Sequence, residues 1–384
     1  MIPVTPTTCD AAENATDNPS KATALRFGLT LFPSFQPDQI SAQGYFDDCL
    51  LLCRLADQLG YEHVRTIEHH LTYYGGCSPS TLIFLTAVSQ CTTTLRLICG
   101  AVIPAFNHPL RIAGEIGMVD AISHGRLEIG FGRAFIPAEF QGFDIPLDES
   151  RARFVESISV IRRLLEGGGI THDGKTFRFT NVTTLPRPTQ EPYPPLWIAA
   201  FSSPESFEFA GREGYNIMAI PLSGRSLEPL IAIYRNAWTL AGHAGKGKVM
   251  LAFHMLCAPS TAEAMVLARK PFNQYMSMLI DAAQSWESLP ASPSYPGYPQ
   301  MLNELRSRNL ETMMNSGAVW VGSPDDICST IRNFKEGVPD FDIASMQVNY
   351  SGLSYKVAAE SIELFAAYVM PQFRNSQPHI ASTY

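Results

Sequence analysis

Between Phe27 and Asn349 the chain alternates, eight times, a short apolar run of strand character with a stretch of helical periodicity. The strand runs are residues 27–32, 63–67, 95–103, 126–131, 196–201, 216–220, 249–257 and 343–349. Alternation of this kind is the signature of βαβ units around a parallel sheet, and eight of them suffice to close it. The expected fold class is therefore α/β, a (βα)8 TIM barrel, with one domain over residues 25–374. Such barrels exceed the usual domain length, so 384 residues do not demand a second domain.

Helix starts are legible where caps stand. Ser203, Pro204, Glu205 and Ser323, Pro324, Asp325 each put serine at the cap, proline in the first turn and an acid near the positive end of the helix dipole. Two segments leave the alternation. Residues 167–195 read as a Gly-rich turn, a short strand pair within FRFTNVTTL and a proline-rich approach. From about Gln284 to Val319, before the last βα units, a long insertion runs through SLPASPSYPGYPQ and a polar helical stretch. It reads either as a lid carrying Tyr295 and Tyr298 or as a surface loop. Residues 1–24 lack the apolar stretch of a signal peptide and read as a disordered extension, and residues 375–384 as a tail.

With 28 basic and 36 acidic residues the net charge is -8, and no run of Lys or Arg interrupts it. Neither nucleic acid nor an anionic membrane is an expected partner, no segment reaches the roughly 18 apolar residues of a membrane span, and a cytoplasmic location is expected. The eight cysteines have neither a CxxC pair nor zinc-type spacing and mostly lie in apolar segments. Reduced, buried thiols are expected, and no metal site.

Residues 95–135 hold one βαβ unit whose second strand ends in Gly130, Phe131, Gly132, Arg133. Small residues let a ligand approach the backbone, and a guanidinium can fork onto phosphate or carboxylate oxygens. A tight turn followed by a surface arginine has the same letters. The run 63–67 opens into Glu68, His69 and His70. At the carboxyl end of a barrel strand an imidazole, with an ordinary pKa of about 6.5, is placed to exchange a proton near neutrality. Neighbours in an extended chain point to opposite faces, so one histidine faces the site while the other orients structure. A polar loop is the plainer meaning of the same pair.

FGLTLF, GYEHVRTIEHH, PLRIAGEIGMVDAISHGRLEIGFGR, WIAAFSSPES and VGSPDDICSTIRNF occur in that order. Together they resemble the bacterial luciferase-like flavin-dependent monooxygenases over roughly residues 25–374. The resemblance implies an oxidoreductase that takes FMN already reduced by a separate flavin reductase, with O2 as co-substrate. A small organic molecule, conceivably a secondary metabolite, would be oxygenated through a flavin C4a-peroxide, and the chain would form a homodimer. Residue by residue, it implies His69 beside the flavin ring, flanked by Glu68 and His70. Arg133, Arg151 and the Ser202, Ser203 helix opening would hold the FMN phosphate, with Ser206 a further contact. A non-prolyl cis peptide between Gly100 and Ala101 would lie beneath the ring, and Asn107 and His108 would touch its edge or form the turn before Pro109. Two positions depart from the family pattern. Gly132 stands where the light-emitting enzymes carry a cysteine, which argues against light emission. Arg65 stands where a tryptophan is usual ahead of the histidine, and suggests a substrate bearing a carboxylate or phosphate, or else an outward salt bridge. Rival readings are a deazaflavin-dependent dehydrogenase of the same superfamily and a non-catalytic flavin-binding subunit.

Overall fold

Strands buried on both faces, the mark of an all-parallel sheet, close here into a ring. The computed structural model describes residues 24–221, 227–289, 292, 295 and 297–374. In chain order the first elements are β1 (Arg26–Leu31), α1 (Ala42–Gln58), β2 (His63–Thr66), α2 (Thr81–Ser89), β3 (Arg96–Val102), α3 (Pro109–Ile122) and β4 (Leu127–Gly132). Then come α4 (Pro137–Gly142), α5 (Ser150–Glu166), β5 (Ile170–Asp173), β6 (Arg178–Val182), β7 (Leu196–Ala200), α6 (Pro204–Glu213), β8 (Asn216–Ala219) and α7 (Leu227–Leu240). The last are β9 (Val249–Cys257), α8 (Thr261–Ala283), α9 (Tyr298–Arg306), α10 (Leu310–Asn315), β10 (Val319–Gly322), α11 (Pro324–Gly337), β11 (Ile343–Gln347) and α12 (Tyr355–Leu364). Strands β11, β1, β2, β3, β4, β7, β8 and β9 pair in that order, all parallel, and β9 pairs back with β11 to close the barrel. The expected TIM barrel is what the chain forms.

The alternation of side chains along each strand decides which end is open. Toward the amino ends the inward residues are large, and Ile98, Trp197, Met218, Met250 and Ile343 form one buried cluster. Trp197 is tied there by its Nε1, which donates to Glu128 Oε2 at 2.7 Å. Two residues further along several strands the inward positions become small, and Gly100, Gly132, Ala199 and Ala252 border a cavity. The barrel is plugged below and hollow above, at the carboxyl ends where such barrels carry their sites. Gly130 stands opposite Trp197 in the β4–β7 pairing. A Cβ there would fall 2.4 Å from the Cys99 carbonyl oxygen and 2.7 Å from Met218 Cε. Gly130→Ala is expected to destabilise the fold by about 1–3 kcal/mol through overpacking. Chemical denaturation measures this, and an unmoved midpoint would mean that β3 and β4 yield without cost.

Several boundaries differ from the sequence reading. The Phe- and Pro-rich stretch after Arg133 contains the short helix α4. In the 167–195 excursion only β6 falls within FRFTNVTTL, and its antiparallel partner β5 precedes it. The described residues of the insertion are largely ordered: a 3-10 turn at Gln284–Glu287, α9 and α10 lead into β10. Strand β10, absent from the sequence expectation, pairs with the distal half of β9, from His254 to Cys257. Buried anchors, not periodicity, fix this region, since Trp286 and Tyr295 join Ala134 and Phe140 in one core cluster. The terminal helix stops at Leu364 and continues as a wider turn, Phe365–Val369. The extension expected before Ala24 and the tail after Arg374 lie outside the described residues. Among the described residues no helix is long and apolar enough to cross a membrane. The described cysteines are free, and Cys49 and Cys53 face the core as expected.

Candidate active site

A cavity of about 600 Å³ opens at the carboxyl ends of the barrel strands. Of the residues singled out in the sequence, Glu68, His69, Gly100, Ala101, Arg133, Arg151, Ser202 and Ser203 all line it. His70 does not. Its Nε2 lies 3.3 Å from Glu68 Oε1, and its ring stands edge-on to Phe106 and Phe143 behind the wall. The two histidines thus divide as the extended backbone demands, His69 toward the cavity and His70 toward its support.

His69 is held by a residue that the sequence reading missed. Its Nδ1 lies 3.0 Å from Oε1 of Glu139, on α4, and the same oxygen accepts the His70 backbone N–H at 2.7 Å. Glu139 is fully buried. With Nδ1 donating to this carboxylate, Nε2 is left as the ring's acceptor on the cavity side. Glu68 is also buried and accepts from Ile103 N, Asn107 Nδ2 and His70 Nε2, each at 3.3 Å. Burial pushes its carboxyl above the ordinary carboxylate value, and His70 offsets part of the rise. Asn107 therefore serves the Glu68 carboxyl. His108 caps α3, its Nδ1 accepting from Leu110 N at 3.3 Å, and packs on Phe177 away from the cavity.

A cationic end lies at β4, α5 and the start of α6. The Arg133 guanidinium stacks over the Tyr295 ring at 4.3 Å, and its buried Nη1 has no partner. Arg151 reaches the same wall from the first turn of α5. At α6 the expected serine cap takes a different form. Ser203 is the N-cap, but its hydroxyl donates to Glu205 at 2.5 Å and makes no bond to the helix backbone. The first-turn amides of α6 are met otherwise: the Glu205 carboxylate accepts from its own backbone N–H and Ser203 O accepts from Ser206 N at 3.0 Å. The Ser203 hydroxyl first and the Glu205 backbone N–H second, with Arg151 and Arg133 adding to them, hold the Glu205 carboxyl below its ordinary value. Glu205, read in the sequence only as a helix-start acid, also lines the cavity.

The floor between these two poles includes the Gly100–Ala101 peptide, which is cis as the resemblance implied. The insertion closes over one side. Trp286 Nε1 donates to Phe135 O at 2.8 Å, the Tyr295 hydroxyl to Ala134 O at 2.5 Å, and Tyr298 lines the cavity. Arg65 is buried and inward, which excludes the outward salt bridge. Among the described residues no cluster of three or more His, Cys, Asp or Glu is arranged to hold a metal ion. The missed residues left faint traces at best. Glu139 was an acid in an otherwise apolar segment, and Gln347 and His254 were polar breaks in apolar strands.

A family model described as luciferase-like monooxygenase matches residues 25–340. The oxygenase component of flavin-dependent trigonelline monooxygenase from Acinetobacter baylyi is 27% identical over 369 residues, which is 92% of this chain and 97% of that protein. The crystal structure of monooxygenase RslO1 from Streptomyces bottropensis superposes with a TM-score of 0.81 at 33% identity, covering 91% of this chain and 100% of that one. The oxygenating constituent of 3,6-diketocamphane monooxygenase from Pseudomonas putida, solved with FMN, shares the fold with a TM-score of 0.76 at 21% identity, over 92% of this chain and 100% of that one.

Proposed function

The chain belongs to the luciferase-like monooxygenase family, and from that premise we propose that it is the oxygenase of a two-component system. It would take reduced FMN from a separate flavin reductase, by diffusion or transient contact, and use O2 to oxygenate a small organic substrate. The observation that carries this reading is the convergence of Arg133, Arg151 and the start of α6 at one end of a cavity with a floor of Gly and Ala.

The residues fit such a cofactor on their own chemistry. Arg133 Nη1 is a buried donor without an acceptor, and the α6 amides add the partial positive charge of a helix start. Ser202 and Ser203 contribute hydroxyls once Ser203 releases Glu205. Gly100, Ala101, Ala199 and Ala252 leave a floor on which a planar ring system can lie. Bound reduced FMN would supply the two electrons and the site of oxygen activation. His69, oriented by Glu139, holds or delivers a proton through Nε2, and Glu68 with His70 steadies the strand end that carries it. Tyr298 and the α9 segment exclude water, whose entry would divert the reaction to hydrogen peroxide. A homodimer in the cytoplasm completes the reading.

Anaerobic titration with reduced FMN tests it. Saturable binding of reduced FMN supports the reading. Failure to bind FMN with retention of a deazaflavin would move the chain to the dehydrogenase reading, and binding without any oxygen chemistry would make it a non-catalytic subunit.

A further inference from the structure

The cavity has a third guanidinium, besides Arg133 and Arg151, for which the proposed function has no use. Arg65, on β2, is only 6% exposed. Its Nη2 donates to Gly100 O at 2.9 Å and its Nη1 to Thr30 Oγ1 at 3.4 Å, while its Nε has no partner. Among the described residues the groups that favour its charge are the Tyr275 and Tyr74 hydroxyls, with no carboxylate among them, and the buried His63 ring is held below its ordinary value by burial first and by Arg65 second. Burial lowers the Arg65 pKa to about 10, so it stays charged at neutral pH. A desolvated guanidinium without a counter-charge is costly to keep. The fold nonetheless makes room for it, since a Cβ at position 100 would lie 2.1 Å from Arg65 Nε.

Its surroundings hold further buried polar atoms without partners. Gln347 is buried and its Nε2 is unpartnered. His254 Nε2 is unpartnered too, and burial pulls its pKa to about 3, so the ring is neutral. Beside them stand rings: Phe32 lies 4.7 Å from Tyr74 and 5.3 Å from Tyr275, and the two tyrosine hydroxyls meet at 3.0 Å. These residues come from β9, β11, β1 and β2 and the segments after them. That arc of the barrel faces the β4, β7 side that carries Arg133 and the start of α6.

The geometry points to an anion subsite at this end. It takes the carboxylate of a small, largely apolar organic acid, with Arg65 and Gln347 as donors and Phe32, Tyr74 and Tyr275 around its body. Calling that acid the substrate rests on the monooxygenase reading; the subsite itself does not.

Anaerobic isothermal titration with benzoate and benzamide, with and without reduced FMN, tests the subsite. The wild type is expected to bind benzoate at least about tenfold more tightly than benzamide, as a charge-assisted pair would give. Arg65→Met should abolish that preference while leaving benzamide and FMN affinities within about twofold, and Arg65→Lys should keep part of it. A wild type without the preference overturns the proposal. So does Arg65→Met if it keeps the preference, weakens both probes equally, or instead weakens reduced FMN, which would assign the cation to the flavin. Should Arg65→Met not fold, the wild-type preference and Arg65→Lys decide. A benzoate preference in a protein that binds no FMN would sink the proposed function and leave the subsite standing.

Discussion

His69→Ala is expected to slow oxygen transfer to any substrate the wild type turns over by about 10²–10⁴-fold, the range of a positioned acid or base. The argument is geometric. Nδ1 is tied to Glu139 Oε1 at 3.0 Å and the residue lines the cavity, which leaves Nε2 as the ring nitrogen for a ligand to meet. Binding of reduced FMN should change little, because the residues proposed for the phosphate lie on α5, α6 and the end of β4. The loss should therefore appear in kcat, with reduced flavin diverted to hydrogen peroxide. Glu139→Gln should reproduce much of it, since an amide nitrogen can turn the imidazole to its other tautomer. Labelled O2 incorporation set against peroxide release measures both variants. Unchanged oxygen transfer in His69→Ala would reduce the Glu139–His69 pair to a structural tie.

Arg133→Ala should raise the Kd for reduced FMN by about 10–100-fold, the cost of a charge-assisted contact of roughly 1.5–3 kcal/mol. Its guanidinium is pre-oriented by stacking on Tyr295 at 4.3 Å, and Nη1 has nothing else to serve. Arg133→Lys should recover only part of the loss, because an ammonium neither forks onto phosphate nor stacks as a plane. Wild-type affinity should fall as salt rises, with a smaller dependence in the alanine variant. Anaerobic flavin fluorescence or equilibrium dialysis reads these constants, and an unchanged Kd would take the phosphate away from this end of the cavity.

The barrel was legible because its strands are buried on both faces and its helices on one, so periodicity reports both directly. The strand runs around β1 and β9 agree with the structure to within a residue or two for this reason. The insertion was not legible. Its prolines, serines and glycines suppress any periodic signal, while its anchoring depends on Trp286 and Tyr295 reaching backbone carbonyls some 150 residues away in sequence. The EHH run and the Gly132–Arg133 strand end could be placed at the mouth of the barrel from their position after strands alone. Glu139 could not, because it joins His69 only once α4 folds across the mouth. The isolation of Arg65 is a property of what does not surround it, and sequence records no such absence.

The most direct test of the central claim is rapid mixing of the purified chain, loaded anaerobically with reduced FMN, against oxygenated buffer. Flavin absorbance and peroxide would be followed together. If the cavity holds reduced FMN away from water, the flavin should reoxidise well behind free FMN, through a distinct transient, with peroxide released only as that transient decays. Reoxidation at the rate of free FMN, with immediate peroxide, would contradict the account and mean that this cavity does not shelter a reduced flavin.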